Sequence, residues 1–196
     1  TLNFGRRWAR DRRFQVGVQR LRALIPPAEA ATAHSNIAET AVDCLFKPIQ
    51  SKFNETHGVI KGSDVAVLAL GKLGSREMTA SSDLDLVIIY KAPINSADSN
   101  GTKPLSVSQY FARLSQRLIN ALTALTSEGA MFKVDMRLRP SGNAGPIATT
   151  IEAFKSYHAD GAWTWEHMAL TRARVISATS DKMRSAVEGA IHSILT

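Results

Sequence analysis

The stretch VAVLALGKLGSREMTASSDLDLVIIY, Val65 to Tyr90, constrains the fold more than any other part of the chain. An apolar run meets a turn containing Gly71 and Gly74. A polar span follows, and Asp83 and Asp85 open a second apolar run. Short apolar runs bounded by turn residues read as buried strands. Alternate residues of a strand share a face, so Asp83 and Asp85 point the same way, roughly 6.5–7 Å apart. Carboxylates that close repel unless a positive charge lies between them. A divalent cation held by hard oxygen ligands, typically Mg²⁺, meets that need. The alternative, two aspartates capping a loop or a helix start, does not require the Leu-Val-Ile-Ile run behind them. Apolar residues on both faces of that run make it a central strand.

The 196 residues suit one domain, and 44% hydrophobic residues suffice for a packed core. No apolar run approaches the ~20 residues of a membrane span. The chain opens at Thr1 without a signal peptide and reads as a piece of a longer protein. Cys44 is the single cysteine and lies among Ile37, Ala41, Leu45 and Ile49, so a buried thiol is expected, in a cytoplasmic setting. The net charge of +7 is uneven. Residues 1–24 hold seven arginines and one acid, whereas the other 172 residues carry 17 bases and 16 acids. A nucleic-acid binder spreads its basic stripe over a working face. An excess confined to one end reads instead as a solvated, partner-facing helix, with no nucleic acid and no membrane as partner.

Taken in order, residues 4–25 read as a helix whose stripe Phe14, Val18, Leu21 and Ile25 faces inward, the arginines taking the other faces. Pro26 and Pro27 end it. A second helix, about Asn36 to Asn54, carries Ile37, Ala41, Leu45, Ile49 and Phe53 on one side. Asp64 to Leu70 is the first strand. Ala92 to Pro104 reads as an exposed, mobile loop. Leu105 to Thr126 is a helix with Phe111, Leu114, Leu118, Ala121 or Leu122, and Leu125 buried. Thr150 is a candidate N-cap for a helix through Tyr157. Trp163 to Ser177 reads as a further helix with a structural His167 and a polar face of Glu166, Arg172 and Arg174. A last helix covers Thr179 to Leu195. The chain divides into a basic helical segment, 1–27, and a core, 28–196, which the resemblance described below implies are a linker helix and a catalytic core.

Three features bear on chemistry. Glycines in the Gly71–Gly74 turn let the backbone approach a ligand, and successive N–H groups near Gly74 and Ser75 can hold phosphate oxygens. Lys72 can add charge there. The run MFKVDMRLRP alternates: Lys133, Asp135, Arg137 and Arg139 on one face, Val134, Met136 and Leu138 on the other. It is either a solvated edge strand or a neighbour of the Asp83/Asp85 strand. In the second case Asp135 is a third carboxylate, and Arg137 and Arg139 meet anionic phosphate oxygens. Three carboxylates behind such a turn suit two-metal nucleotidyl transfer, with ions ~3.5–4 Å apart bridged by Asp83 and Asp85.

The order Gly-Ser, D-x-D, later Asp resembles the DNA-polymerase-β-type nucleotidyltransferases. Within them, GKLGSREMTASSDLDLVIIY, VDMRLRPSGNAGP and AWTWEHMALTRARV resemble the glutamine synthetase adenylyltransferase family over essentially the whole chain. The resemblance implies an α+β fold, a small mixed sheet carrying the carboxylates and flanked by many helices. It implies Asp83, Asp85 and Asp135 as catalytic metal ligands for two Mg²⁺ ions, and ATP as substrate. Gly74, Ser75, Lys72, Arg137 and Arg139 are the nucleotide-binding candidates. Glutamine synthetase is the implied partner, with the PII signalling protein in the longer polypeptide, and a C-terminal helical domain lies beyond this chain. The family joins an adenylylating domain to a deadenylylating, phosphorolytic one, and RPSGNAG followed by AWTWEH resembles the former. A regulatory module that binds nucleotide without turnover is the reading from another class. A polynucleotide substrate is disfavoured by the near-neutral core.

Overall fold

A computed structural model describes residues 2–196. Helix α1 spans Leu2–Leu21 and α2 spans Pro27–His57. Strand β1 (Asp64–Ala69) leads through the single turn α3 (Gly71–Gly74) towards β2 (Leu84–Lys91). Helix α4 is Val107–Thr123, β3 is Val134–Asp135 and β4 is Ala148–Thr150. Helices α5 (Ile151–Asp160) and α6 (Thr164–Leu170), strand β5 (Arg174–Ala178) and helix α7 (Asp181–Leu195) complete the chain.

The five strands form one small mixed sheet. β1 lies antiparallel between β2 and β5. The other edge of β2 is shared end to end by two parallel partners, β3 at Leu84–Asp85 and β4 at Ile88–Tyr90. β2 is therefore central, as its two apolar faces require. Val65, Val67, Leu86 and Ile88 pack with α2 and α4 residues such as Phe46, Phe53, Phe111 and Leu118. Their neighbours Ala66, Leu68, Val87 and Ile89 face the opposite layer, with Phe154 of α5 and Val187 and Ile191 of α7. The alternation along each strand thus feeds two cores.

Several sequence expectations change. α1 does not bury Phe14, Val18 and Leu21: Phe14 is 73% and Leu21 88% exposed. It buries Arg6, Ala9 and Val16 instead. Small residues let the helix approach closely, and the Arg6 guanidinium donates to the Ala121 carbonyl at 2.9 Å, at the end of α4. Thr1 of the expected linker lies outside the described residues. α2 begins nine residues earlier than the periodicity indicates, with Pro27 as its first residue, where a missing N–H is harmless. It runs through Pro48, and Cys44 is exposed rather than buried. The 92–104 loop is pinned, not loose: Gly101 and Lys103 N–H groups donate to His57 and Thr56 carbonyls, and Ser99 is buried. In α4 the expected stripe holds, but Leu125 falls beyond the helix and is exposed.

The largest correction concerns residues 163–177. The helix stops at Leu170, and Arg174–Ala178 is strand β5, paired with β1. The expectation for Thr150 is met, since its hydroxyl accepts from the Ala153 N–H at 3.0 Å. Ser180 caps α7 in the same way. No helix among the described residues is long and apolar enough to cross a membrane.

Candidate active site

β2 and β3 place Asp85 and Asp135 opposite each other in register. Parallel neighbours lie about 4.8 Å apart, so these two residues sit side by side, near the start of β2 and at the end of β3. The alignment is fixed by the Leu84 N–H donating to the Lys133 carbonyl and the Leu70 N–H donating to that of Asp85, both at 2.9 Å. Asp83 precedes β2 by one residue and is exposed. The structure thus pairs Asp85 with Asp135, and the charge of Asp83 also acts on Asp85. β3 is only two residues long, so the alternation expected to continue through Arg139 ends at Asp135, and residues 136–139 turn away.

The two paired carboxylates differ electrically. Burial pushes the Asp85 carboxyl above the usual aspartate range, helped by the charges of Asp135 and Asp83, with Arg137 opposing. Hydrogen bonds from the Arg137 side chain hold Asp135 below that range. The Arg137 Nη2 lies 2.5 Å and its Nε 2.8 Å from Asp135 Oδ2, and its backbone N–H donates to Oδ1 at 2.8 Å. Among the described residues neither Asp83 nor Asp85 makes an ion pair with a side chain.

These residues fit a divalent cation. The donors are hard carboxylate oxygens, and the mutual repulsion felt at Asp85 is what a cation relieves. Asp83 and Asp85 carry no ion-pair partner among the described residues that a cation would have to displace, whereas Asp135 is engaged by Arg137. Among the described residues no three His, Cys, Asp or Glu side chains are grouped closely enough to hold a metal ion as they stand.

The glycine turn lies against Asp85. Gly71 has φ +50°, and a Cβ there would meet Asp85 Oδ2 at 2.2 Å. At Gly74 a Cβ would meet the Arg172 carbonyl oxygen at 1.9 Å. Gly74 therefore admits the backbone entering β5. The N–H groups of Gly74 and Ser75 close the turn on the carbonyls of Leu70 and Gly71, at 2.8 and 3.1 Å. The Ser75 hydroxyl donates to the Gly71 carbonyl and to Glu77. Lys72 is exposed beside them. Arg139 donates to the Met136 and Gly145 carbonyls, bracing the loop that leaves β3.

Three supporting residues, Arg174, Glu166 and Tyr157, do not stand out in the sequence pattern. Arg174 of β5 donates to the carbonyls of Leu73 and Gly74, at 3.1 and 3.2 Å, and pairs with Glu39 of α2 at 2.7 Å. It places a cation at the end of the turn, where unpaired carbonyls gather. Glu166 is buried; it accepts from the Trp163 N–H and from the Tyr157 hydroxyl, both at 2.8 Å. Tyr157 in turn faces the backbone of Ser141 in the loop after β3. No capping signature marks Glu166 in the sequence, because tryptophan, unlike Ser or Thr, offers no acceptor at the N-cap. The β-branched pair Val175-Ile176 could have found β5. His167 is structural as expected, its Nε2 lying 2.8 Å from the His158 carbonyl.

A family model described as glutamate-ammonia ligase adenylyltransferase matches residues 2–189. The bifunctional glutamine synthetase adenylyltransferase/adenylyl-removing enzyme of Rhodopseudomonas palustris (strain TIE-1) is 50% identical over 183 residues, 93% of this chain and 18% of the relative. Its counterpart in Brucella suis biovar 1 (strain 1330) is 52% identical over 169 residues, 86% of this chain and 17% of the relative. The chain spans less than a fifth of the length of these relatives. On the family match and these identities, the chain belongs to the glutamate-ammonia ligase adenylyltransferase family.

Proposed function

We propose that this chain is a nucleotidyltransferase core of the polymerase-β type that transfers AMP from ATP to a tyrosine of glutamine synthetase and releases pyrophosphate. The observation that carries the reading is the register of Asp85 against Asp135, with Asp83 two residues ahead of Asp85. Bound Mg²⁺, two ions in the full site, would lower the pKa of the attacking hydroxyl and neutralise the triphosphate. Asp83 and Asp85 would hold the cations. Asp135, released from Arg137, takes the proton of the tyrosine hydroxyl. The tyrosine oxygen then bonds to the α-phosphorus as the bond to pyrophosphate breaks. Arg137, freed by the same exchange, turns its guanidinium to the phosphate oxygens, a bidentate match. Lys72, Ser75 and Gly74 flank the triphosphate, and Arg139 keeps the loop after β3 in place.

The setting is the cytoplasm, with glutamine synthetase as acceptor and the PII signalling protein acting on the longer polypeptide. Nucleic acid has no place in this reading, since the chain beyond residue 24 is near-neutral and α1 arginines already bond within the molecule: Arg6 and Arg13 to carbonyls, Arg7 and Arg10 to Glu128. The test is transfer of label from α-labelled ATP and Mg²⁺ to purified glutamine synthetase. Label on its tyrosine, lost with EDTA, is expected. ADP formed instead from adenylylated glutamine synthetase and phosphate would assign the chain to the adenylyl-removing reaction.

A further inference from the structure

The arginine-rich helix α1 reaches the carboxylate strands through one side chain. Arg13 Nη1 donates to the Met131 carbonyl at 3.1 Å, and its Nη2 donates to the Ala80 carbonyl. Its guanidinium carbon lies 5.1 Å from the centre of the Phe132 ring. Met131 stands four residues before Asp135, and Ala80 three residues before Asp83. One planar fork therefore joins the approaches to both carboxylate strands, which are more than 50 residues apart in sequence.

Both approaches are short and held at their far ends. The Met131 and Phe132 N–H groups donate to the Leu122 carbonyl, each at 3.1 Å, and Lys133 then enters the ladder with Leu84. On the other side the Thr79–Ser82 turn is closed by Ser82 N–H to the Thr79 carbonyl and Thr79 N–H to the Ser82 hydroxyl. The Met78 N–H ahead of it donates to Ser35 of α2. There is little slack between Arg13 and either carboxylate. Lysine, a point charge with no fork, cannot hold two carbonyls in the same geometry.

We propose that Arg13 is a positioning residue that sets the spacing of Asp83 and Asp135 from helix α1, and so tunes the affinity of the carboxylate site for its divalent cation. This rests on the metal-site reading above. Arg6 supplies the control, because it ties the same helix to Ala121 at the end of α4 without touching either approach.

The experiment titrates the whole chain with Mn²⁺, without nucleotide, following free Mn²⁺ by electron paramagnetic resonance, and records thermal melting alongside. Groups that support metal ligands typically change affinity 10–100-fold, so Arg13→Met is expected to weaken Mn²⁺ binding about tenfold. Arg13→Lys, which keeps the stem over Phe132 and guards against simple misfolding, is expected to fail to restore it. Arg6→Met is expected to lower the melting temperature and leave Mn²⁺ affinity unchanged. Wild-type Mn²⁺ affinity in both folded Arg13 variants would overturn the proposal, as would equal weakening by Arg6→Met. No Mn²⁺ uptake by the unsubstituted chain would overturn the metal-site reading itself and this inference with it.

Discussion

β2 and β3 meet at a single aligned pair of aspartates, and the two strands treat them oppositely. β2 is eight residues long, apolar on both faces and central, so Asp85 is half-buried and its charge is disfavoured. β3 is two residues long and its chain turns back at once, which lets Arg137 reach Asp135 and favour its charge. A long buried strand supplies a rigid carboxylate that lacks a counter-charge. A short strand followed by a turn supplies one that is already compensated.

The largest expected effect comes from the β2 side. Asp83→Asn with Asp85→Asn should reduce AMP transfer by at least about a hundredfold, since metal stabilisation of the transition state is worth several kcal/mol. Asp85→Asn alone should at the same time raise the melting temperature of the metal-free protein at neutral pH. The sign follows from its raised carboxyl: the unfolded chain ionises first, so above the ordinary aspartate value of 3.8 the ionised group favours unfolding. A melting temperature that falls would remove the electrical contrast between the strands.

Gly71→Ala tests whether the turn or the strand sets the position of Asp85. Left-handed backbone costs about 1–2 kcal/mol for alanine, and the added methyl must displace Asp85 Oδ2. Denaturant unfolding should show that loss. Mn²⁺ binding should weaken in the same variant, whereas Gly129→Ala, also at positive φ but with nothing within 4 Å of its Cβ, should lose stability alone. On the β3 side, Arg137→Gln should move the Asp135 carboxyl up towards the usual range, read by carbon-13 NMR titration. If Asp135 stays low, its compensation comes from elsewhere.

The smallest effect separates the pair from the background of the fold. Burial lowers His34 and His158, with Arg13 adding to the effect at the first and His167 at the second. Their neutral forms contribute stability that is complete above the ordinary value of 6.5 and is lost as pH falls from there through their lowered folded values. Melting temperatures between pH 7.5 and 5 should therefore decline with Asp85→Asn present or absent.

What the sequence disclosed follows from the physics of each segment. β1 and β2 are long apolar runs with no other stable use, and the D-x-D spacing announced itself. β5 stayed hidden because Thr171 and Arg172 end α6 with no glycine or proline, so TWEHMAL and RVISA read as one helix. The buried face of α1 is not legible from hydropathy, which favours Phe14 and Leu21, whereas Arg6 and Arg13 are buried or half-buried through bonds to distant carbonyls. No pattern in one segment reports a partner 115 residues away. The Arg174 brace on the glycine turn was illegible for the same reason.

The placement of β5 also bears on how the site comes into being. β1 and β2 belong to one antiparallel pair and can meet early, but β1 gains its second neighbour only when Val65 bonds Thr179, 114 residues further on. Contacts of such separation form late, after the entropy of closing the loop has been met. On a ribosome the carboxylate-bearing half of the sheet would exist before the strand that steadies its glycine turn. A nascent chain halted before Arg174 would carry its carboxylates on a sheet with a bare edge.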